Sequence, residues 1–488
     1  MTPGLNRGDA ISNDAYGMVE TLEQAGFETV LFTFSGESDS PWPTYVYADA
    51  RWKLDRADDL LIYHYCTVDE NALSILRQLK CRMAVKYHNV TPSRFMAPWS
   101  DELAFMTRLG RMLLNRLVDL PLDLVIGDSE YNLQEIRRLV GDQPNMSVLP
   151  VFNHVEELLT RPGDGATVGY VRQWPTNILS VGRLAPNKGH EDMLEAFGAY
   201  LGTCRRRPHL HLVGSHDSRL HAYVAHLKAI IARHDMADAV SFHPIVGQSA
   251  LGSFYRHCDL FWTGSQHEGF CVPAVEAMAF GLPILSTTAG ALAETCGEAA
   301  VYADNQDEMA DALNLLLDDD ERLVELRRRG RQRYETRFHR RHVADRFLEV
   351  IDNWINPRNE ISSPEAADAG HWFGLPHAVE AVGRAIANHP GLGQGLHARD
   401  RRLDLVLWIL SKGRQEDNAL AAYVGSAELI RFARGLEMPP AAAHFSPAQR
   451  LVWTFSRQAQ ELFSLQNRES VASFSRWYES GRRADRWS

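Results

Sequence analysis

The chain has 488 residues, 45% of them hydrophobic, and a formal net charge of -11. That length suits two or three domains and a core large enough to need no disulfide staples. The acidic balance argues against nucleic acid as the main partner, but not against a phosphorylated small molecule, whose binding depends on local charge. Six cysteines (66, 81, 204, 258, 271 and 296) are scattered without a C-x-x-C pair or zinc spacing, which suits a reducing cytoplasm. The opening residues carry no apolar signal-peptide region, and no run of ~18 apolar residues could span a bilayer.

In chain order, a loop at Arg7–Asp14 leads to a helix near Asp14–Ala25 that ends at Gly26, then a strand at Thr29–Phe34. Leu60–Tyr63, Met83–Tyr87 and Leu122–Ile126 are short apolar runs of strand length, with Ser129 placed to cap a following helix. Leu103–Leu117 is amphipathic and carries Arg108, Arg111 and Arg116. Such a helix either covers a sheet or lies on an anionic membrane, and the first reading is preferred. Around 153–176 the loop-like Arg161-Pro162-Gly163-Asp164-Gly165 marks a seam.

The second part repeats the pattern. Ile178–Val181, Leu210–Val213, Val240–Phe242, Leu260–Trp262 and Leu282–Ser286 read as strands, with helices such as Gly189–Leu201 and Leu220–His234 between them. Alternation of this kind predicts parallel sheets covered by helices on both faces. Arg340–Ile355 places Val343, Phe347, Val350, Ile351 and Trp354 at helical spacing. After a linker at 357–370, the tail has helical apolar periodicities and five tryptophans, which predicts an all-helical accessory domain at 357–488.

Two motifs carry chemistry. In His267–Thr287, Glu268 and Glu276 stand eight positions apart around the turn Glu268-Gly269-Phe270-Cys271-Val272-Pro273. Pro273 suits a first helical turn, and the free N–H groups there favour an anion such as a diphosphate. In Ser180–Gly189 a strand ends at Gly182, and a loop with Arg183 and Lys188 precedes a helix. A guanidinium and an ammonium together stabilise a departing diphosphate. The acidic run Asp318–Glu321 sits between two helical stretches and reads as a helix cap rather than a metal site.

The Glu268–Glu276 string, with Gly-Phe after the first Glu and Glu-Ala-Met-Ala-x-Gly-x-Pro after it, resembles the E-x7-E motif of retaining glycosyltransferases of family 4. The resemblance covers roughly residues 8–355. It implies the GT-B fold: an α/β protein with two Rossmann-like parallel-sheet domains facing a cleft. Residues 1–160, completed by a crossover helix at 340–356, would form the acceptor domain. Residues 161–339 would bind a nucleotide diphosphate sugar. Against the family's pattern, the first strand is expected to be missing or very short here.

By the same resemblance, Arg183 and Lys188 grip the donor diphosphate and Glu276 takes the ribose hydroxyls. Glu268, with the backbone at Gly269, Phe270 and Cys271, lies near the transferred sugar. Gly182 and Gly214 permit close approach of the nucleotide, and Ile245 or Val246 packs on the base. His88, at the end of Met83–Tyr87, helps hold the sugar, with Asn89, His64, Asp9 and Asn13 as further cleft candidates. The implied activity is retaining, metal-independent transfer of a hexose to a glycan or lipid-linked glycan, with no cofactor, in bacterial polysaccharide synthesis. The expected location is the cytoplasm, with peripheral contact at the inner membrane face as an option. A sugar-nucleotide epimerase and a non-catalytic binding subunit are the alternatives.

Overall fold

The computed structural model describes residues 1–5, 9–35, 40–54, 56–140, 145–205, 207–244 and 246–356. The expected helical tail, Ile245 and Arg7-Gly8 lie outside the described residues.

The apolar runs become parallel strands. In the first half these are β1 (Leu31–Thr33), β2 (Thr44–Val46), β3 (Leu60–Tyr65), β4 (Arg82–Tyr87), β5 (Leu122–Gly127) and β6 (Met146–Val148). They pair as β1-β2 and as β3-β4-β5-β6. The second half holds β7 (Asn177–Val181), β8 (His209–Val213), β9 (Val240–His243), β10 (Leu260–Thr263), β11 (Ile284–Ser286) and β12 (Ala300–Tyr302). Their order is β12-β11-β10-β7-β8-β9, all parallel. Every residue of β8, β10 and β11 is buried, as strands covered on both faces require.

Three details differ from the sequence reading. The first helix spans Ala10–Gln24, four residues earlier than expected, because the Asp9 carboxylate accepts the Ser12 N–H and caps it. The short strands β2, β6 and β12 are only partly buried and lack a long apolar run. The seam holds two helices, Val155–Thr160 and Gly165–Val171, the second capped by Asp164. Met1-Thr2 runs between β1 and β3. Met1 N–H donates to Ile62 O and its carbonyl accepts from His64, while Thr2 N–H donates to Phe32 O.

The helix Arg340–Ile355 buries Val343, Phe347, Val350, Ile351 and Trp354 against Met18, Ala84, Leu124, Ile126 and Phe152 of the first half. The Asp101–Leu113 helix buries Ala104, Met112 and Leu113 within the protein. Arg111 of that helix pairs with Glu135, and Arg116 beyond it with Asp119. Its apolar and basic groups are therefore engaged with the protein. No helix among the described residues is long and apolar enough to cross a membrane.

Candidate active site

Two loops of the second half come together at the carboxyl ends of β7 and β10, where ligands of open parallel sheets collect. Gln266 N–H donates to Asn187 O, and the Asn187 side-chain amide donates to His267 O. These bonds bring Lys188 and Glu268 together across 80 positions of sequence, with Nζ and Oε1 2.5 Å apart. The Ser265 hydroxyl donates to the same Glu268 oxygen at 2.8 Å. Glu268 is buried while Lys188 is partly open. Arg183 is exposed, and its charge acts on Asp217 beside it and on Cys66 of the first half.

Glycines allow this close construction. At Gly214, φ is +149° and an added Cβ would lie 1.9 Å from the Gly182 carbonyl oxygen. The space that Gly214 leaves is thus filled by the neighbouring loop rather than held open. At Gly269 an added Cβ would meet Asn89 Cβ at 2.8 Å and the His88 carbonyl at 3.1 Å. The Glu268-Gly269 turn therefore packs directly against the first half.

The helix Val272–Phe280 starts from Cys271, a buried residue at φ 79°. Left-handed backbone at a non-glycine residue is strained and concentrates at ligand sites. No side chain caps this helix start, and Pro273 sits in the first turn. Glu276, in the next turn, accepts a 2.6 Å hydrogen bond from the Tyr255 hydroxyl. Burial pushes its carboxyl above the usual range, and the Tyr255 bond partly offsets this. Tyr255 is held by stacking on Phe280, with centroids 5.3 Å apart. Phe270 is buried against Phe338, and its carbonyl accepts the Thr295 hydroxyl. Val246 packs partly buried against the same core.

Facing this site, the first half carries a buried polar chain. His88 Nδ1 lies 2.9 Å from Asp128 Oδ2, and His88 Nε2 lies 2.8 Å from His64 Nδ1. With Asp128 as carboxylate, His88 donates through Nδ1 and its Nε2 accepts from His64. Burial drives the His64 imidazole well below its usual range, so it stays neutral. Lys86, fully buried, sits within 2.9 Å of both Asp14 oxygens and 3.6 Å from Asp128. Asp14 also accepts the Phe152 N–H. Asp14, His64 and His88 offer three possible ligand atoms within 4.8 Å of one another. The Lys86 side chain lies within 2.9 Å of both oxygens of that Asp14 carboxyl.

Both ring nitrogens of His88 are thus engaged inside the first half, and its side chain is almost fully covered. Asn89, at φ 73°, donates to Asn132 beside Gly269. Asp9 is occupied as a helix cap, and Asn13 lies one turn on, partly buried. Across the seam, Ser129 donates to Gly269 O, and Glu294 accepts from the N–H groups of Glu130 and Tyr131.

Sequence reasoning missed Ser265, Tyr255, Asn187, Asp14, Lys86 and Glu294. Lys86 left one signal, a cation inside the apolar run Met83–Tyr87. Tyr255, 21 positions from Glu276, left none.

Two parallel-sheet halves with facing loops at their carboxyl ends define the GT-B class. Solved structures agree on the fold. A sucrose-phosphate synthase from Thermosynechococcus elongatus superposes with a TM-score of 0.55 at 19% identity, over 70% of this chain and 92% of that one. The Anabaena protein HepE, solved with UDP and glucose, gives 0.56 at 15% identity, over 72% and 98%.

Residues 172–333 match the family described as glycosyl transferases group 1. A D-inositol 3-phosphate glycosyltransferase of Acidothermus cellulolyticus is 28% identical over 256 residues, 50% of this chain and 56% of the relative. A mannosylfructose-phosphate synthase of Agrobacterium fabrum is 35% identical over 132 residues, 26% and 29%. The matches thus span about half or less of these relatives' length.

Proposed function

We propose that this protein is a retaining, metal-independent glycosyltransferase that moves a hexose from a nucleotide diphosphate sugar to a glycan or lipid-linked glycan. The observation that carries the reading is one constellation: Lys188 and Arg183 on one loop, Glu268 on the next, and the uncapped start of the helix that bears Glu276. The cations and helix N–H groups take the diphosphate, and their stabilisation grows as charge develops on it. Glu276, aimed by Tyr255, takes the ribose hydroxyls. Glu268 and the Gly269–Cys271 backbone take the sugar. The departing phosphate accepts the acceptor proton, so the attack proceeds on the same face without a carboxylate base.

Lys188 neutralises Glu268 and must divide its charge between that carboxylate and an incoming diphosphate. Ser265 keeps one further donor on Glu268 when this happens. The His88 side chain, held by Asp128 and His64 and almost fully covered, supports the sugar site from within the first half.

The names of the matched relatives, an inositol phosphate glycosyltransferase and a mannosylfructose-phosphate synthase, make small phosphorylated sugars and polyols worth testing beside glycans. A panel of nucleotide sugars is first screened by thermal shift, because a bound donor raises apparent stability by mass action. The best donor is then incubated with and without acceptors, and released nucleotide diphosphate is measured. Release that requires acceptor supports transfer. Consumption of donor without acceptor means an isomerase, and binding without turnover means a non-catalytic subunit. Peripheral membrane contact has its own test, flotation with anionic liposomes at low salt.

A further inference from the structure

Two helices of the first half, Ser93–Met96 and Asp101–Leu113, form an arm that packs on the second half. Met96 and Ala104 share a core cluster with Tyr223, Val224 and Leu227, and Phe95, Trp99 and Leu103 pack against it. The Trp99 ring lies 5.1 Å from Tyr223 and 5.0 Å from His226. Arg219 donates to Glu102 at 2.7 Å. Helices this short are marginal by themselves in water, so the arm depends on these contacts.

The arm also reaches the candidate active site. Phe95 lies 6.1 Å from the His267 ring, and Tyr131, on the Glu130–Val140 helix, lies 6.0 Å from it. His267 directly precedes Glu268, is 6% exposed, and has its carbonyl held by the Asn187 amide. The charges that act on its ring are Arg111 and Arg94 of the arm and Lys188 of the facing loop, all cations. Arg94 stands over Phe95, Arg111 pairs with Glu135, and Lys188 pairs with Glu268. Burial holds the Tyr131 hydroxyl above its usual range, so it stays protonated. An imidazolium in this place would lose its water beside like charges. Burial first, and then those cations, lower the His267 pKa to about 3.

We propose that the arm is a clasp: Phe95, with Tyr131, grips the His267 ring and so fixes the turn that presents Glu268, while Met96, Trp99 and Leu103 anchor the arm on the second half. Proton uptake by His267 releases it. A ring freed into water titrates near ~6.5. Below that value the released form binds more protons than the clasped one, so falling pH favours release. From pH 7.5 to pH 5.5 the ratio of clasped to released forms falls about tenfold. The role given to Glu268 rests on the transferase reading, whereas the clasp does not.

Native-state amide exchange on the full chain, corrected for the intrinsic pH dependence of exchange, tests this. Protection of the Ala104 amide, which donates to Ser100 O, is expected to fall about tenfold from pH 7.5 to pH 5.5. The same fall is expected at Gln266 and Ala291, whose amides donate to Asn187 O and Glu268 O. His267→Phe and His267→Gln are each expected to lose most of that dependence, and either one decides if the other does not fold. Trp99→Ala is expected to lower Ala104 protection at pH 7.5 at least about tenfold, the scale for losing a buried aromatic anchor. Parent-like pH dependence in the His267 variants, or parent-like protection in Trp99→Ala, overturns the proposal. A response at Ala104 with Gln266 and Ala291 unmoved overturns the link to Glu268. An arm that responds as stated in a protein that turns over no nucleotide sugar leaves the clasp standing and removes only the transferase reading.

Discussion

Lys188 and Glu268 form an ion pair between two loops of the second half, the ammonium 2.5 Å from one carboxylate oxygen. The loops are tied by Asn187 and Gln266, so the pair marks where both strand ends converge. Lys188→Ala is expected to lower turnover at least about a hundredfold, the scale for losing a main donor to developing charge. Steady-state release of nucleotide diphosphate measures it, and near-normal turnover would remove Lys188 from the mechanism.

Tyr255 touches Glu276 and no proposed substrate group, so it acts by positioning. Tyr255→Phe removes the 2.6 Å bond and leaves the ring stacked on Phe280. The expected result is a donor KM raised up to about tenfold, the range for one ordinary hydrogen bond, with kcat nearly unchanged. An equal fall in kcat instead would point to a role in the transition state.

Glu294 links the halves by accepting two N–H groups at the start of the Glu130–Val140 helix. Glu294→Ala is expected to cost about 1 kcal/mol, as for loss of a helix cap. Glu294→Gln, which keeps one acceptor oxygen, is expected to cost less. Urea denaturation midpoints of the three proteins decide, and equal midpoints would refute the link.

His209, His211 and His243 cluster on β8 and β9 beneath Tyr170 and Trp174. Burial lowers His209 to about 4 and His211 to about 3, and lowers His243 too. In the unfolded chain such groups titrate near ~6.5. Between that value and the folded ones, the unfolded state binds more protons, so stability falls as pH falls. Tm is expected to drop from about pH 6.5 towards pH 4. The slope should be shallower for His211→Gln than for the parent, and identical slopes would exclude His211 as a source.

Metal independence has a direct check. Two cations beside the proposed diphosphate site can take the charge that a divalent ion would otherwise neutralise. Turnover is expected to persist in EDTA. Loss of activity that manganese restores would overturn this.

Much of the architecture was legible because buried parallel strands must be apolar runs. Leu260–Trp262 and Leu210–Val213 were identifiable from composition alone. The sequence also carried Glu268, Glu276, Arg183 and Lys188, because local turn chemistry and helix-start signals surround them. What stayed hidden were partners that no local pattern encodes. Asp14 meets Lys86 from 72 positions away, and Tyr255 reaches Glu276 from the preceding helix.

By itself, then, the sequence determined the strand–helix alternation and the residue types at each strand end, since periodicity and turn propensity act over a few residues. Only the tertiary structure decided that Lys188 closes on Glu268, that His88 is turned into an internal chain with Asp128 and His64, and that Met1-Thr2 runs between β1 and β3. Those outcomes depend on long-range packing and on shared burial of charge, which chain order does not record.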